Sequence, residues 1–146
     1  MKLKLIGYLV SFSNKNLDEL NQKTNLTWSN QCVANTHKNS TDIFWSQSKA
    51  VFNAHCLIID LAVLNVDTAH QLAIAWTLNY IRKINHKNNF KNINTLYDKF
   101  HFPAKTVIIV KNNKNTNKYI EGCIKDVGIL VKNLNQAIRL INSRYP

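Results

Sequence analysis

Glycine, proline, cysteine and arginine are all scarce in this chain. Of its 146 residues only 3 are glycine and 2 are proline. The glycines, Gly7, Gly122 and Gly128, are too dispersed to build a phosphate-cradling turn, so the chain holds neither a P-loop nor a GxGxxG fingerprint. That argues against a nicotinamide dehydrogenase and a P-loop nucleotidase; HExxH is also absent. The cysteines, Cys32, Cys56 and Cys123, are odd in number and widely spaced, with no CxxC pair and no histidine at zinc-ligand spacing. They read as free thiols in a reducing compartment, and neither a metal nor a cofactor is implied. No apolar run approaches the roughly 18 to 20 residues of a membrane span. The opening "MKLKLIGYLVSFS" lacks a small-residue cleavage site and alternates as a strand does. The expectation is a soluble, cytoplasmic protein with no membrane contact.

Acidic residues are few as well: 8 Asp and Glu face 19 Lys and Arg, giving a formal charge of +11. A surplus of this size points toward polyanions. Nearly all of it is lysine, however, Arg82, Arg139 and Arg144 being the only arginines, and lysine travels with asparagine in "HKNNFKNIN" and "KNNKNTNK". An AT-rich coding sequence inflates those two residues together, while arginine, suited to bidentate phosphate and guanine contacts, stays rare. A basic nucleic-acid or protein-interaction subunit therefore rests on charge alone.

What is present is a patterned, 45% hydrophobic chain the size of one domain, residues 1–146, able to bury roughly 70% of its unfolded surface. Residues Lys2 to Phe12 read as a strand entering a buried sheet. Ser13 or Asn14 then caps a short helix with Leu17 and Leu20 at helical spacing. A weak strand is expected around Trp28 to Val33. Thr41 precedes a helix whose apolar side holds Ile43, Phe44, Gln47, Val51 and Phe52, with Asp42 in its first turn. "HCLIIDLAVL" is the clearest strand, apolar from Cys56 to Leu61 except at Asp60, as a parallel strand covered on both faces requires. Thr68 or Asp67 is expected to cap a helix from Ala69 to about Ile84. After a polar, aromatic-dotted insertion come the buried strand of "AKTVIIVKN", a short segment and edge strand in "YIEGCIKDVGILVKN", and an amphipathic helix with Leu134, Ala137, Ile138 and Ile141 on one side. Alternating strands and helices give an α/β, three-layer Rossmann-like sandwich with a mainly parallel sheet of about five strands. Ligands in such sheets sit at the carboxyl ends of the strands, where Asp60 falls.

The arrangement of Asp42 and Trp45 on a helix, then "FNAHCLIIDLAVLNVDTAHQLAIAW" and the strand "TVIIV", resembles the nucleoside 2-deoxyribosyltransferase superfamily, whose relatives include deoxynucleotide N-hydrolases. In that family the segment typically reads as an aspartate, a spacer, Gly-Thr-Ala, an apolar residue and Glu-Leu-Gly-Tyr-Ala. Laid on this chain, the aspartate falls on Asn65, the glycine on Asp67, and the threonine and alanine on Thr68 and Ala69. The catalytic glutamate falls on Gln71, followed by matching Leu72 and Ala75. The first-strand loop departs from the family as well: a small turn usually follows Tyr-Leu, whereas Tyr8-Leu9 here continues into "VSFSN".

The resemblance implies a nucleoside or nucleotide ligand, a homodimer or higher assembly, and cleavage or transfer of an N-glycosidic bond. The family glutamate attacks the anomeric carbon, or stabilises an oxocarbenium-like transition state, while an acid helps the base leave. Gln71 carries no charge to balance that cation and is a poor nucleophile; Asn65 cannot exchange the proton an aspartate would. Both amides keep the shape and hydrogen bonding to hold a ribose hydroxyl. Two readings follow: an enzyme with displaced groups, Asp67 and His70 being the candidates, or a catalytically silent nucleotide-binding or sequestering module. Tyr8, Asp42, Trp45 and Asp60 complete the expected substrate-binding set. Trp45 either stacks on a nucleobase or packs in the core, and Tyr8 either lines the pocket or carries its hydroxyl to the surface. His55 reads as structural and Cys56 as a buried, unreactive thiol.

Overall fold

A computed structural model of the chain describes residues 4–10, 12–30, 39–61, 66–88, 104–111, 122, 124–126 and 128–146, with side chains excluded at 84–88. In chain order the elements are β1 (Ile6–Val10), α1 (Asn14–Lys23), β2 (Thr27–Asn30), α2 (Ser40–Asn53), β3 (Cys56–Asp60), α3 (Val66–Asn88), β4 (Thr106–Val110), β5 (Gly128–Val131) and α4 (Leu134–Arg144). Five parallel strands stand in the order β2-β1-β3-β4-β5, so the fold is the expected α/β sandwich.

The strands form because their apolar residues are wanted on both faces. Successive side chains on a strand point to opposite sides, and here both sides are covered. Tyr8, Val10, Leu57, Ile59, Val107 and Ile109 pack beneath α2 and α3, against Val51, Ala54, Leu72 and Ala75. Leu9, Cys56, Ile58, Ile108 and Val110 pack on the other side against Leu20 of α1 and Ala137, Ile138 and Ile141 of α4. Cys56 sits deep in that second layer, where burial pushes its thiol up to about 12, against a small opposing pull from Arg144. It is therefore an apolar filler at neutral pH.

At Gly7 the packing is closest. A side chain there would put its first carbon 2.4 Å from the ring of Trp28, the residue beside it in the β1–β2 ladder. The indole is pinned in turn, its Nε1 donating to Thr24 Oγ1 at 2.8 Å.

The strand ends where the chain enters the sheet are tied together by polar side chains. His55 Nδ1 accepts from the backbone N–H of Ile6 at 3.1 Å, and Tyr145 Oη donates to the His55 carbonyl at 3.0 Å while lying 2.8 Å from Thr106 Oγ1. Lys105 is 7% exposed, and its Nζ donates to the carbonyls of Phe52 and Ala54, at 2.6 and 3.0 Å. These carbonyls close the C-terminus of α2, where a cation is favoured. Burial, then the nearby Arg82, lowers the Lys105 pKa to about 7. Burial and the Lys105 charge likewise lower that of His55. The structural reading of His55 matches these bonds.

Three local expectations are corrected. α3 begins at Val66, so Asp67 and Thr68 are first-turn residues and not caps. Thr68 is fully buried, starting the inward stripe Thr68, Gln71, Leu72 and Ala75 at three- and four-residue steps. α3 also runs to Asn88, past Ile84. On α2 the inward stripe holds Ser48 and Val51, and Phe44 lies at the surface. The β2 strand is described over Thr27–Asn30; its expected extension to Val33 lies outside the described residues, as do Cys32, Cys123 and residues 89–94 and 112–118 of the Lys/Asn tracts at 85–94 and 111–118.

Candidate functional site

The strand order places a switch point between β1 and β3. From β1 the chain moves outward to β2, then returns across to β3 and continues the other way to β4 and β5. In open parallel sheets such a switch point, here the carboxyl ends of β1 and β3, is where a ligand crevice is expected. α2 and α3 pack side by side on the face above this pair of strands, and both begin at the crevice end because each runs antiparallel to the strand it precedes or follows.

The seam between α2 and α3 is layered. At its rim Phe44 of α2 and His70 of α3 face each other with ring centroids 5.3 Å apart and planes tilted by 32°. Trp45 meets Phe44 edge-on at 5.4 Å. Beneath them, one helical step inward, Gln71 Nε2 donates to Gln47 Oε1 at 3.2 Å. Deeper still the seam becomes apolar, with Val51, Leu72 and Ala75 in the core. Gln71 lies five residues into α3, roughly 7 Å along the axis from its start.

Gln71 is 1% exposed, yet among the described residues its Oε1 has no hydrogen-bond partner. The same holds for the buried Ser48 Oγ on α2. A buried polar atom without a partner costs about 1–3 kcal/mol, so such atoms in native proteins call for an explanation. The Tyr8 hydroxyl is buried in this same layer between sheet and helices. Tyr8 thus does not carry its hydroxyl to the surface. It stands on β1 among Val10, Leu57 and Ile59, on the face that α2 and α3 cover.

The remaining expected residues separate into two groups. Asp60 ends β3 at the crevice and is half-buried. Asp67 and His70 lie in the opening turns of α3 and are exposed, while Val66 before them is 84% exposed. Asp42 is exposed at the start of α2, where its carboxylate accepts from Asn39 Nδ2 at 2.6 Å and its N–H donates to Asn39 Oδ1 at 2.8 Å. That pairing is a helix cap, and it commits Asp42 locally. Trp45 is 52% exposed, so its core reading is set aside. Asn65 lies outside the described residues. On the far side of the crevice, Asn30 Nδ2 at the end of β2 donates to Asn14 Oδ1 at 2.9 Å, joining it to the start of α1.

Gln47 is the residue that sequence reasoning did not single out as functional. It counted as part of an apolar helix side, and the signal available was a polar amide at an inward position of that side. A separate shallow cleft, lined by Trp76, Asn79, Tyr80, Lys83 and Asp126, lies farther along α3 and contains none of the expected site residues. There Trp76 and Tyr80 stack at 4.9 Å and Trp76 Nε1 donates to Asp126 Oδ2 at 3.0 Å. Among the described residues no group of three His, Cys, Asp or Glu side chains could hold a metal ion, and no helix is long and apolar enough to cross a membrane.

No family model matches the sequence, and no curated protein matches it either. Among solved structures, the CMP N-glycosidase BcmB of Clostridium botulinum matches with a TM-score of 0.57 at 10% sequence identity, over 94% of this chain and 98% of that one. The likeness is one of fold. It spans nearly the whole of both chains, and it is the Rossmann-like architecture that the resemblance between Asp42 and Ala75 implied.

Proposed function

We propose that this protein binds a nucleoside or nucleotide at the carboxyl ends of β1 and β3, and that Gln71 holds a sugar hydroxyl there. The reading starts from a fold shared with an enzyme whose name states that it acts on the N-glycosidic bond of CMP. The observation that carries it is the Gln71 side chain, nine-tenths buried and more, aimed into the α2–α3 seam with Oε1 unpartnered among the described residues. A ligand hydroxyl entering the crevice would satisfy that atom. Asp60, Tyr8 and the exposed ring of Trp45 are the further members we assign to the site, with Trp45 as a face on which a base can stack.

As a catalyst the same site is short of a charge. Cleaving an N-glycosidic bond builds positive charge on the sugar, and a carboxylate beside C1′ stabilises it or attacks it. An amide does neither. Binding without turnover is therefore the activity we assign. The second reading, a hydrolase or transferase using Asp67 and His70, is favoured by their exposed positions in the opening turns of α3, four and one residues before Gln71 respectively.

Incubating the protein with deoxynucleosides and with ribo- and deoxynucleoside monophosphates, CMP included, and following free base by chromatography separates the two. Saturable binding in calorimetry with no base release supports the binding module. Base release above a buffer blank that Asp67→Asn or His70→Ala abolishes would replace it with the enzyme. Absence of both binding and release across the set would end the nucleotide reading altogether. In the Gln71→Glu variant, where the carboxylate is restored, we expect measurable base release from the nucleotide that the native protein binds.

A further inference from the structure

We infer that Gln47 is a positioning residue that makes Gln71 a hydrogen-bond acceptor, so that the ligand group meeting Gln71 must be a donor. The inference rests on the nucleotide-binding reading and goes further by fixing the polarity of the contact.

A glutamine amide is ambivalent: one end donates twice and the other accepts twice. Which end faces the ligand depends on what holds the other. In the seam, Gln47 Oε1 receives the Gln71 Nε2 proton at 3.2 Å. This turns the Gln71 carbonyl oxygen away from Gln47 and leaves it buried and unpartnered among the described residues. The arrangement has a chemical consequence. A carbonyl acceptor in that position matches a sugar hydroxyl donating its proton, and it rejects an ether or another carbonyl, which would bring two lone pairs together and leave both buried acceptors unsatisfied. Selectivity built on an unsatisfiable buried group exceeds what an apolar pocket achieves. Gln71 itself is 1% exposed, and a hydrogen bond made to a buried amide is stronger than the same bond in open water.

Substitutions at residue 47 set the polarity of Gln71 without touching it. Gln47→Glu offers only acceptor oxygens and keeps Gln71 Nε2 toward residue 47. Gln47→Lys offers only donors and turns the Gln71 amide about its last torsion, presenting Nε2 to the ligand. Gln47→Leu removes the constraint. The probes are CMP and its 2′-O-methyl and 3′-O-methyl ethers, each ether accepting at the altered position but not donating. Calorimetry on the native protein and Gln47→Glu should show one ether binding at least tenfold more weakly than CMP. In Gln47→Lys that penalty should shrink at least threefold. The steric cost of the methyl group is common to all variants and cancels in the comparison. An equal penalty in every variant, or a larger one in Gln47→Lys, overturns the inference. A fold defect would lower all affinities together and would be seen in the melting curve, but it would not reorder the ethers.

A ligand-free arm keeps the two readings distinguishable. In 15N-labelled protein the Gln71 side-chain amide should show one shifted proton, retained in Gln47→Glu and lost in Gln47→Leu. If CMP fails to bind while the amide behaves so, the nucleotide reading falls and the orienting role of Gln47 stands. If the Gln71 amide is indifferent to Gln47→Leu, the orienting role falls, whatever CMP does.

Discussion

The strand-start end of the sheet and the α2–α3 seam treat buried polar groups differently. At the end where the strands begin, buried polar groups find each other: Lys105 Nζ holds two carbonyls, His55 Nδ1 takes the Ile6 N–H, and Tyr145 closes over Thr106 and the His55 carbonyl. Along the α2–α3 seam, Gln71 Oε1 and Ser48 Oγ are buried without partners among the described residues, and Phe44, Trp45 and Val66 are exposed apolar side chains of the same two helices. The amphipathic helices α2 and α3 reach both regions, so the difference is not one of fold stability overall. At the strand-start end the buried polar atoms serve the chain's own architecture; in the seam two of them have no partner among the described residues.

The comparison is broken hardest at Gly7. Gly7→Val pushes a branched side chain into the Trp28 ring, whose nearest atoms lie 2.4 Å from the first added carbon. We expect a loss of about 3 kcal/mol in chemical denaturation, the upper range for overpacking. An unchanged midpoint would mean that the indole moves aside freely. Lys105→Ala is next, because the Phe52 and Ala54 carbonyls lose their donor. The cost should be about 2 kcal/mol, with nucleotide affinity within threefold of the native protein. A large loss of affinity would show that the two regions are coupled.

The same lysine sharpens the comparison through pH. Its pKa falls from 10.5 to about 7 in the folded chain. Between those values the unfolded chain holds a proton at residue 105 that the folded chain has released. Stability therefore rises as pH climbs from about 7 toward 10.5 and is insensitive to this group below that window. The slope should be absent from the Lys105→Ala curve of stability against pH and should remain in the difference between the native and variant curves; a flat difference would place the lysine pKa near its ordinary value. The smallest stability effect is expected in the seam. Gln71→Leu removes an unpartnered buried acceptor together with the donor to Gln47 Oε1; the two effects oppose, so stability should change by no more than about 1 kcal/mol, while nucleotide affinity falls at least tenfold. A destabilised Gln71→Leu with unaltered affinity would make Gln71 a structural bridge between two helices and nothing more.

Sequence pattern revealed the parts governed by repeated apolar positions. Cys56 to Asp60 reads as a central strand because only a strand covered on both faces needs so continuous a run, and the Leu134 helix is legible from Ala137, Ile138 and Ile141 on one side. The start of α3 was less legible, since Asp67 and Thr68 are good caps in isolation and only burial of the Thr68 side chain shows that it belongs to the inward stripe. The inward position of Gln71 follows from the step to Leu72 and Ala75, but its partner does not. Gln47 is 24 residues away, on a different helix, and no local pattern records which residues of α2 and α3 will meet. Phe44 was misplaced for a related reason: amphipathic spacing gives a helix a side, but the angle at which it docks decides whether a residue at the margin is covered.

An all-parallel sheet also constrains how the chain finds its native state. Its outer ladders join residues close in sequence, Ile6 with Thr27 and Val107 with Gly128. Its inner ladders join Gly7 with Cys56 and Cys56 with Thr106, so both neighbours of β3 are reached only by closing far longer loops. Loop closure is an entropic cost that must be met before the contact repays it. We expect the flanks to gain structure first and the central strand to dock between them. Substitutions at Leu26 or Ala137 should then slow folding, while Ile58→Val chiefly hastens unfolding. The crevice between β1 and β3 would in that case be among the last features to form.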